Sequence, residues 1–255
     1  ALSSLGQMAG HVRSHIAGPV VAVTGSNGKT TTKEMIAEVL SADFDVLRTA
    51  GNYNNLIGLP LTLFGLEAHH NAAVLEMGMN VPGEIERLTQ IAEPTIALIT
   101  NVAAVHLEGL GSIEGVAKAK GELFKQLNPD AIAIINREDP LIEEICSSYL
   151  RRQEQISFGF GDACDVQVSD VRITQSATCA KIRIARDEFD LRLPLVGYHH
   201  ALNAASAAAV GLAAGVSGAR VVEALARVKV PGGRFKIKEV EGSGLVVVDG
   251  TYNAN

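Results

Sequence analysis

The chain has no tryptophan and only 4% aromatic residues, and that shortage alone excludes nothing. Other shortages exclude more. No apolar run approaches the roughly 20 residues that a membrane-spanning helix needs, and no signal peptide opens the chain, so no membrane insertion is expected. Acidic residues outnumber basic ones, giving a formal net charge of −6. A nucleic-acid partner would require a basic face, so none is expected. The three cysteines, Cys146, Cys164 and Cys179, lack metal-type spacing, and an odd count is a poor disulfide framework. Both points suit a reducing, cytoplasmic setting. Low-complexity runs are also missing, while 47% of the 255 residues are hydrophobic. Such a chain is ordered and long enough to bury a large core.

What is present is organised around VVAVTGSNGKTTTKE, Val20 to Glu34. The β-branched run Val20 to Val23 reads as a buried strand. Gly25, Ser26, Asn27 and Gly28 make a turn for small residues. Lys29, Thr30, Thr31 and Thr32 then open a helix with Met35, Ile36, Val39 and Leu40 on one face. A strand, a glycine loop and a helix N-terminus form a phosphate cradle, because backbone N–H groups and the helix dipole face the anion. Lys29 would reach the terminal phosphates and the Thr30 hydroxyl would ligate Mg²⁺. The spacing departs from the usual Walker pattern, whose first glycine would fall on Val23.

Further along, strands and helices alternate. A short strand over Asp45 to Thr49 leads to GNYNNLIGLP, whose Asn52, Asn54 and Asn55 can present amides to a polar ligand. An ordinary turn has the same composition, so the pattern leaves both readings open. The strand AAVLE ends at Glu76, in the crevice where α/β sheets bind ligands and where a phosphate site needs an acid for Mg²⁺. Helix Pro82 to Ala92 and strand Thr95 to Thr100 follow, and Asn101 and His106 lie beyond that strand's tip. The helix Ser112 to Leu127 carries Lys120 close to its apolar face, an unusual place for a lysine, although snorkelling would account for it. Ala131 to Asn136 is one more strand. From about 155 to 195 the pattern becomes short alternating strands, read as a small antiparallel β-sheet appended to the main one. An alanine-rich helix carries His199 and Asn203, Arg234 follows two glycines, and a hairpin over Gly242-Ser243-Gly244 closes the chain beside Asp249. The expected fold class is α/β: a P-loop, doubly wound, mainly parallel sheet flanked by helices. The chain starts inside a helix and stops straight after a strand, so it reads as the central piece of a longer protein.

The ordered series TGSNGKTT, GNYNNLIGLP, LEMGM, NVAAVHLEGLGS, AKAKGELF, GYHHALNAA, PGGRF and DGTYNAN resembles the central ATPase domain of the Mur ligases, the ATP-dependent amide-forming enzymes of peptidoglycan synthesis. The asparagine-rich segment and the closing TYNAN resemble the branch that adds D-alanyl-D-alanine to UDP-N-acetylmuramoyl-tripeptide. The resemblance implies a bacterial, monomeric enzyme domain over residues 1–255 that lacks an N-terminal UDP-sugar domain and a C-terminal domain. It implies ATP and Mg²⁺, with Gly25 to Thr31 on the phosphates, Thr30 and Glu76 at one Mg²⁺, and His106 with a carbamoylated Lys120 near a second. His199 and Asn203 would bind the nucleotide, with Asn203 facing the adenine, Arg234 would meet the γ-phosphate, and Asn52, Asn54, Asn55 and Asn101 would face the UDP-peptide. The family's second acid before TYNAN, the one near the ribose, is Gly250 here, so that contact is not expected, and Asp249 stands as a nucleotide-binding candidate. Rival readings are a relative adding a single amino acid to a muramoyl peptide, a folylpolyglutamate-type ligase, and a nucleotide-binding module that makes no amide.

Overall fold

A computed structural model describes residues 1–105, 107–229, 236–240 and 245–249, without the side chains of Leu107, Glu108 and the last two segments. In chain order the elements are α1 (Leu2–Arg13), β1 (Val20–Thr24), α2 (Lys29–Leu40), β2 (Val46–Arg48), α3 (Gly58–Phe64), β3 (Ala72–Glu76), α4 (Glu84–Ala92), β4 (Ile96–Ile99), α5 (Leu107–Leu110), α6 (Ile113–Lys125) and β5 (Ile132–Asn136). They continue as α7 (Pro140–Tyr149), β6 (Glu154–Gly159), β7 (Val166–Ile173), β8 (Thr178–Ile184), β9 (Asp187–Leu193), α8 (Tyr198–Ala213), α9 (Gly218–Leu225), β10 (Lys236–Val240) and β11 (Leu245–Asp249). Strands β2-β3-β1-β4-β5-β6-β7-β8-β9 form one sheet in that order. It is parallel from β2 through β7 and antiparallel over β7-β8-β9, while β10 and β11 pair antiparallel as the expected hairpin.

Strand alternation builds two apolar layers from the central strands. Val21, Val23, Val74, Leu98 and Ile134 face α2, α8 and α9. Their neighbours Ala22, Leu75, Ile99 and Ile135 face α1, α3, α4, α6 and α7. Because both faces are covered, the inner strands are buried at every position, as parallel sheets require. Among the described residues no helix is long and apolar enough to cross a membrane.

The antiparallel segment expected over about 155–195 is present but is not a separate sheet, and its first strand is parallel. The last four residues of β6 are all buried, where β8 alternates buried and half-buried, so β6 has the pattern of a covered parallel strand. It joins β5 over five pairs and β7 over two, and the antiparallel strands extend from there. Helix α7 is not among the expected elements, yet its signal is in the sequence. Asp139 caps it by accepting from Leu141 N, Pro140 occupies its first turn, and Ile142, Ile145 and Cys146 form the buried stripe.

Helix α8 shows how residue type sets the packing. Ala201, Ala204, Ala205, Ala207, Ala208 and Ala209 are all 0% exposed. Alanine favours helix and has no rotamer to lose, so the helix lies directly on the sheet and on α2. A larger side chain there has no space. Ala205→Leu should therefore cost about 1–3 kcal/mol and lower the melting temperature by about 2–10 °C, read by calorimetry.

Candidate active site

The carboxyl ends of β3, β1 and β4 lie side by side. The chain leaves β1 for the sheet edge, returns at β3 and then crosses to β4, so β1 marks the switch point where open α/β sheets hold ligands. Three tips are laced together. Thr24 Oγ1 donates to Met77 O at 2.9 Å, and Thr100 N donates to Thr24 O at 2.8 Å.

The loop after β1 is shaped by two glycines and held by the β4 tip. Gly25 has φ +148° and a Cβ there would collide with Thr100 Oγ1. Gly28 has φ +79° at the N-cap of α2, the left-handed conformation that favours glycine. Ser26 N donates to Asn101 O at 2.8 Å. Asn101 brackets the Asn27 backbone, its Oδ1 accepting from Asn27 N at 3.0 Å and its Nδ2 donating to Asn27 O at 3.0 Å. Thr100 Oγ1 donates to Asn27 O as well, at 2.7 Å. Two features bear on the expectations. Asn101, expected to face a substrate, braces the loop with both ends of its amide. The N–H groups of Ser26 and Asn27 are spent on Asn101, so the anion cradle expected here would draw on the N-terminal end of α2 rather than on those two groups. Lys29 begins that helix, and its Nζ lies over the loop, donating to Gly25 O at 2.8 Å and Ser26 O at 3.3 Å. Thr30 and Thr31 follow it, 7% and 5% exposed.

Lys29, Asn54, Asn55, Asn80, Glu84 and Lys120 line a pocket of about 160 Å³. Glu76, the partner of Asn54 in the wall, is 2% exposed. Asn54 Nδ2 donates to Glu76 Oε1 at 2.9 Å, while Glu76 Oε2 is buried with no hydrogen-bond partner. Leaving such an oxygen unsatisfied costs about 1–3 kcal/mol or more, and a cation would relieve it. Among the described residues no three His, Cys, Asp or Glu side chains gather as a metal cluster. That donor set suits Mg²⁺, which binds through one or two protein oxygens and takes the rest from phosphates and water.

Lys120 enters the pocket from α6 and is 2% exposed. Burial, and secondarily the charge of Lys29, pull its pKa from 10.5 down to about 7. Asn55 also caps α3, its Oδ1 accepting from Ile57 N and Gly58 N, and Asn52 is exposed. Glu84 accepts from Asn80 N and Val81 N and so shapes the opposite wall. It was not expected, although its place in the first turn of a helix is a usual one for a carboxylate. Asn203 sits over the loop, with its Oδ1 3.0 Å from where a Gly28 Cβ would be. The His199 and His200 rings meet at a tilt of 48° with centroids 4.0 Å apart. Burial lowers the pKa of both imidazoles, that of His200 to about 4. The expected residues His106 and Arg234, and the side chain of Asp249, lie outside the described residues.

Residues 23–211 match the model of the Mur ligase middle domain. The chain is 37% identical over 254 residues to the UDP-N-acetylmuramoyl-tripeptide–D-alanyl-D-alanine ligase of Bacillus subtilis, covering 100% of this chain and 54% of that protein. It is 38% identical over 260 residues to the enzyme of the same name from Escherichia coli, covering 99% of this chain and 56% of that protein. Among solved structures it resembles MurF from Acinetobacter baumannii, with TM-score 0.94 and 34% identity over 100% of this chain and 55% of that one. It also resembles a MurF ligase from Thermotoga maritima in complex with ADP, with TM-score 0.89 and 32% identity over 99% of this chain and 58% of that one. The chain thus spans about half the length of the relatives it matches.

The depressed Lys120 pKa has a measurable consequence. The unfolded chain keeps this lysine protonated up to about 10.5, whereas the folded chain releases the proton near 7. Below 7 the folded state carries the full penalty of a buried ammonium, and the penalty fades as pH rises from 7 to 10.5. In carbonate-free buffer, Lys120→Met should be more stable than the parent by about 3–5 kcal/mol near pH 6, with the gap closing at alkaline pH. Urea unfolding across that range reads it, and a gap independent of pH would refute the burial of a titrating amine.

Proposed function

The chain belongs to the Mur ligase middle-domain family, and on that premise we propose that residues 1–255 are the ATP-binding domain of a ligase joining D-alanyl-D-alanine to UDP-N-acetylmuramoyl-tripeptide. The whole enzyme would act as a monomer in the bacterial cytoplasm, on small-molecule substrates. One observation carries the reading: Lys29 and the buried Lys120 line one pocket, and Asn54 in its wall is hydrogen-bonded to a strand-tip glutamate with an unpartnered oxygen.

The residues divide the chemistry as follows. Lys29 and the N-terminus of α2 offset the charge of the β- and γ-phosphates. Thr30 and Glu76 would hold Mg²⁺, which would supply positive charge to offset that of the phosphates. Asn54 keeps the Glu76 carboxylate turned toward that position. The tripeptide carboxylate attacks the γ-phosphorus, ADP leaves, and an acyl phosphate results. The amine of D-Ala-D-Ala then adds to its carbonyl, and the tetrahedral intermediate loses a proton and expels phosphate to leave the amide. The pocket's part is to hold carboxylate and phosphoryl group in line, the positioning effect that dominates such transfers. Asn203, beside the loop at Gly28, would face the nucleotide, with His199 one turn earlier on the same helix.

Lys120 as an ammonium would repel a cation, but an amine with a pKa of about 7 is substantially neutral at physiological pH. A neutral amine adds to carbon dioxide, forming an N–C bond and releasing a proton, and the resulting carbamate is an anion that supports a cation. We include this modification in the proposal.

ADP release by the full-length protein is the test, with Mg-ATP, UDP-N-acetylmuramoyl-tripeptide and D-Ala-D-Ala omitted in turn. Release should require both peptide substrates; release with a single amino acid instead would move the protein to another branch. With ¹³C-labelled carbon dioxide, one carbamate resonance should be seen by NMR and be lost in Lys120→Met.

A further inference from the structure

Lys33 lies one turn into α2 and is 1% exposed, yet its charge takes no part in the pocket. Its Nζ donates to Thr49 O at 2.6 Å and pairs with Glu34 Oε1 at 2.7 Å. The other oxygen of Glu34 meets Arg48 at 3.1 Å. Thr49, just beyond β2 and itself 1% exposed, is therefore fixed from the helix side. From the sheet side Thr49 N donates to Val74 O at 3.1 Å. Its hydroxyl oxygen accepts from Glu76 N at 3.0 Å.

The segment that starts at Thr49 returns to the same place at Asn54. There the side chain holds Glu76 Oε1 and the carbonyl accepts from Gly78 N at 2.7 Å. Glu76 is thus gripped by both ends of one loop, by its backbone at Thr49 and by its carboxylate at Asn54. The root of that loop is tied to the helix that begins at the phosphate cradle. A buried ion pair adds little net stability, because desolvating the charges offsets their attraction. What this one supplies is direction, since the short charge-assisted bond to Thr49 O allows little movement.

We propose that Lys33 is a positioning residue: by holding Thr49 it sets the place of Glu76 and hence the seat of the divalent cation. The proposal rests on the reading above that Glu76 serves that cation. It assigns the Lys33–Glu34 pair a role in coupling phosphate and metal sites, which a helix-stabilising pair would not have.

Mn²⁺ is the probe, followed by electron paramagnetic resonance in the full-length protein with ATP, alongside ATP affinity measured without metal. Lys33→Met should weaken Mn²⁺ binding by about tenfold or more, the usual effect of losing an outer support of a metal site. ATP affinity without metal should stay within about twofold. Lys33→Arg should restore most of the Mn²⁺ affinity, because a guanidinium can also bridge Glu34 and Thr49 O. Thr49→Val removes only the acceptor for Glu76 N and should give the same defect, so it reads the link even if Lys33→Met fails to fold. The double variant should be little worse than the worse single one, since both break one chain of contacts. Unchanged Mn²⁺ affinity in Lys33→Met and Thr49→Val, or fully additive losses, would overturn the proposal alone. No Mn²⁺ binding by the unaltered protein would overturn the metal reading and the proposal with it.

Discussion

A carboxylate shut away from water needs compensation at each oxygen, and Glu76 has it at only one. Asn54 satisfies Oε1, and Oε2 faces no donor among the described residues. The surrounding architecture makes sense around that deficit. Two lysines line the adjoining pocket, one of them pressed toward neutrality by burial. On the proposed reading, a phosphate and a cation together would bring this charge into balance. Either ligand alone would leave one part of the imbalance in place.

The fold delivers these groups by geometry that is local at each strand tip and long-range between them. Three neighbouring parallel strands end at the same level, so residues from widely separated parts of the chain meet without any one loop being long. Behind them, the alanines of α8 let that helix lie close against α2 and the sheet. The phosphate loop therefore sits on a base that has little room to shift.

Much of this was legible in the sequence for a physical reason: β-branched runs, glycine turns and helix stripes are written in adjacent residues. The phosphate loop, Glu76 at a strand tip and the odd burial of Lys120 were all visible that way. Helix α7 is also written there, in Asp139 and Pro140, although its short stripe lies between two stronger strand signals. Other features were not legible at all. Whether Asn101 faces a substrate or braces Asn27 depends on how β4 lies beside β1, and composition is the same in both cases. Lys33 reads as one more polar residue in a helix until β2 is placed beneath it. The parallel pairing of β6 was hidden because a short strand carries too few residues to separate continuous from alternating burial.

The bracket between Asn101 and Asn27 has a consequence for how this protein can change. Asn101 grips only backbone atoms of its partner, across a separation of 74 residues. The identity of the side chain at position 27 is therefore not what the grip reads, whereas position 101 needs a donor and an acceptor at a fixed spacing. The specification of the loop's shape is stored away from the loop itself. Drift can run through the loop's own side chain at 27 while the distant position stays fixed, so a comparison confined to the glycine-rich segment would miss where its constraint resides.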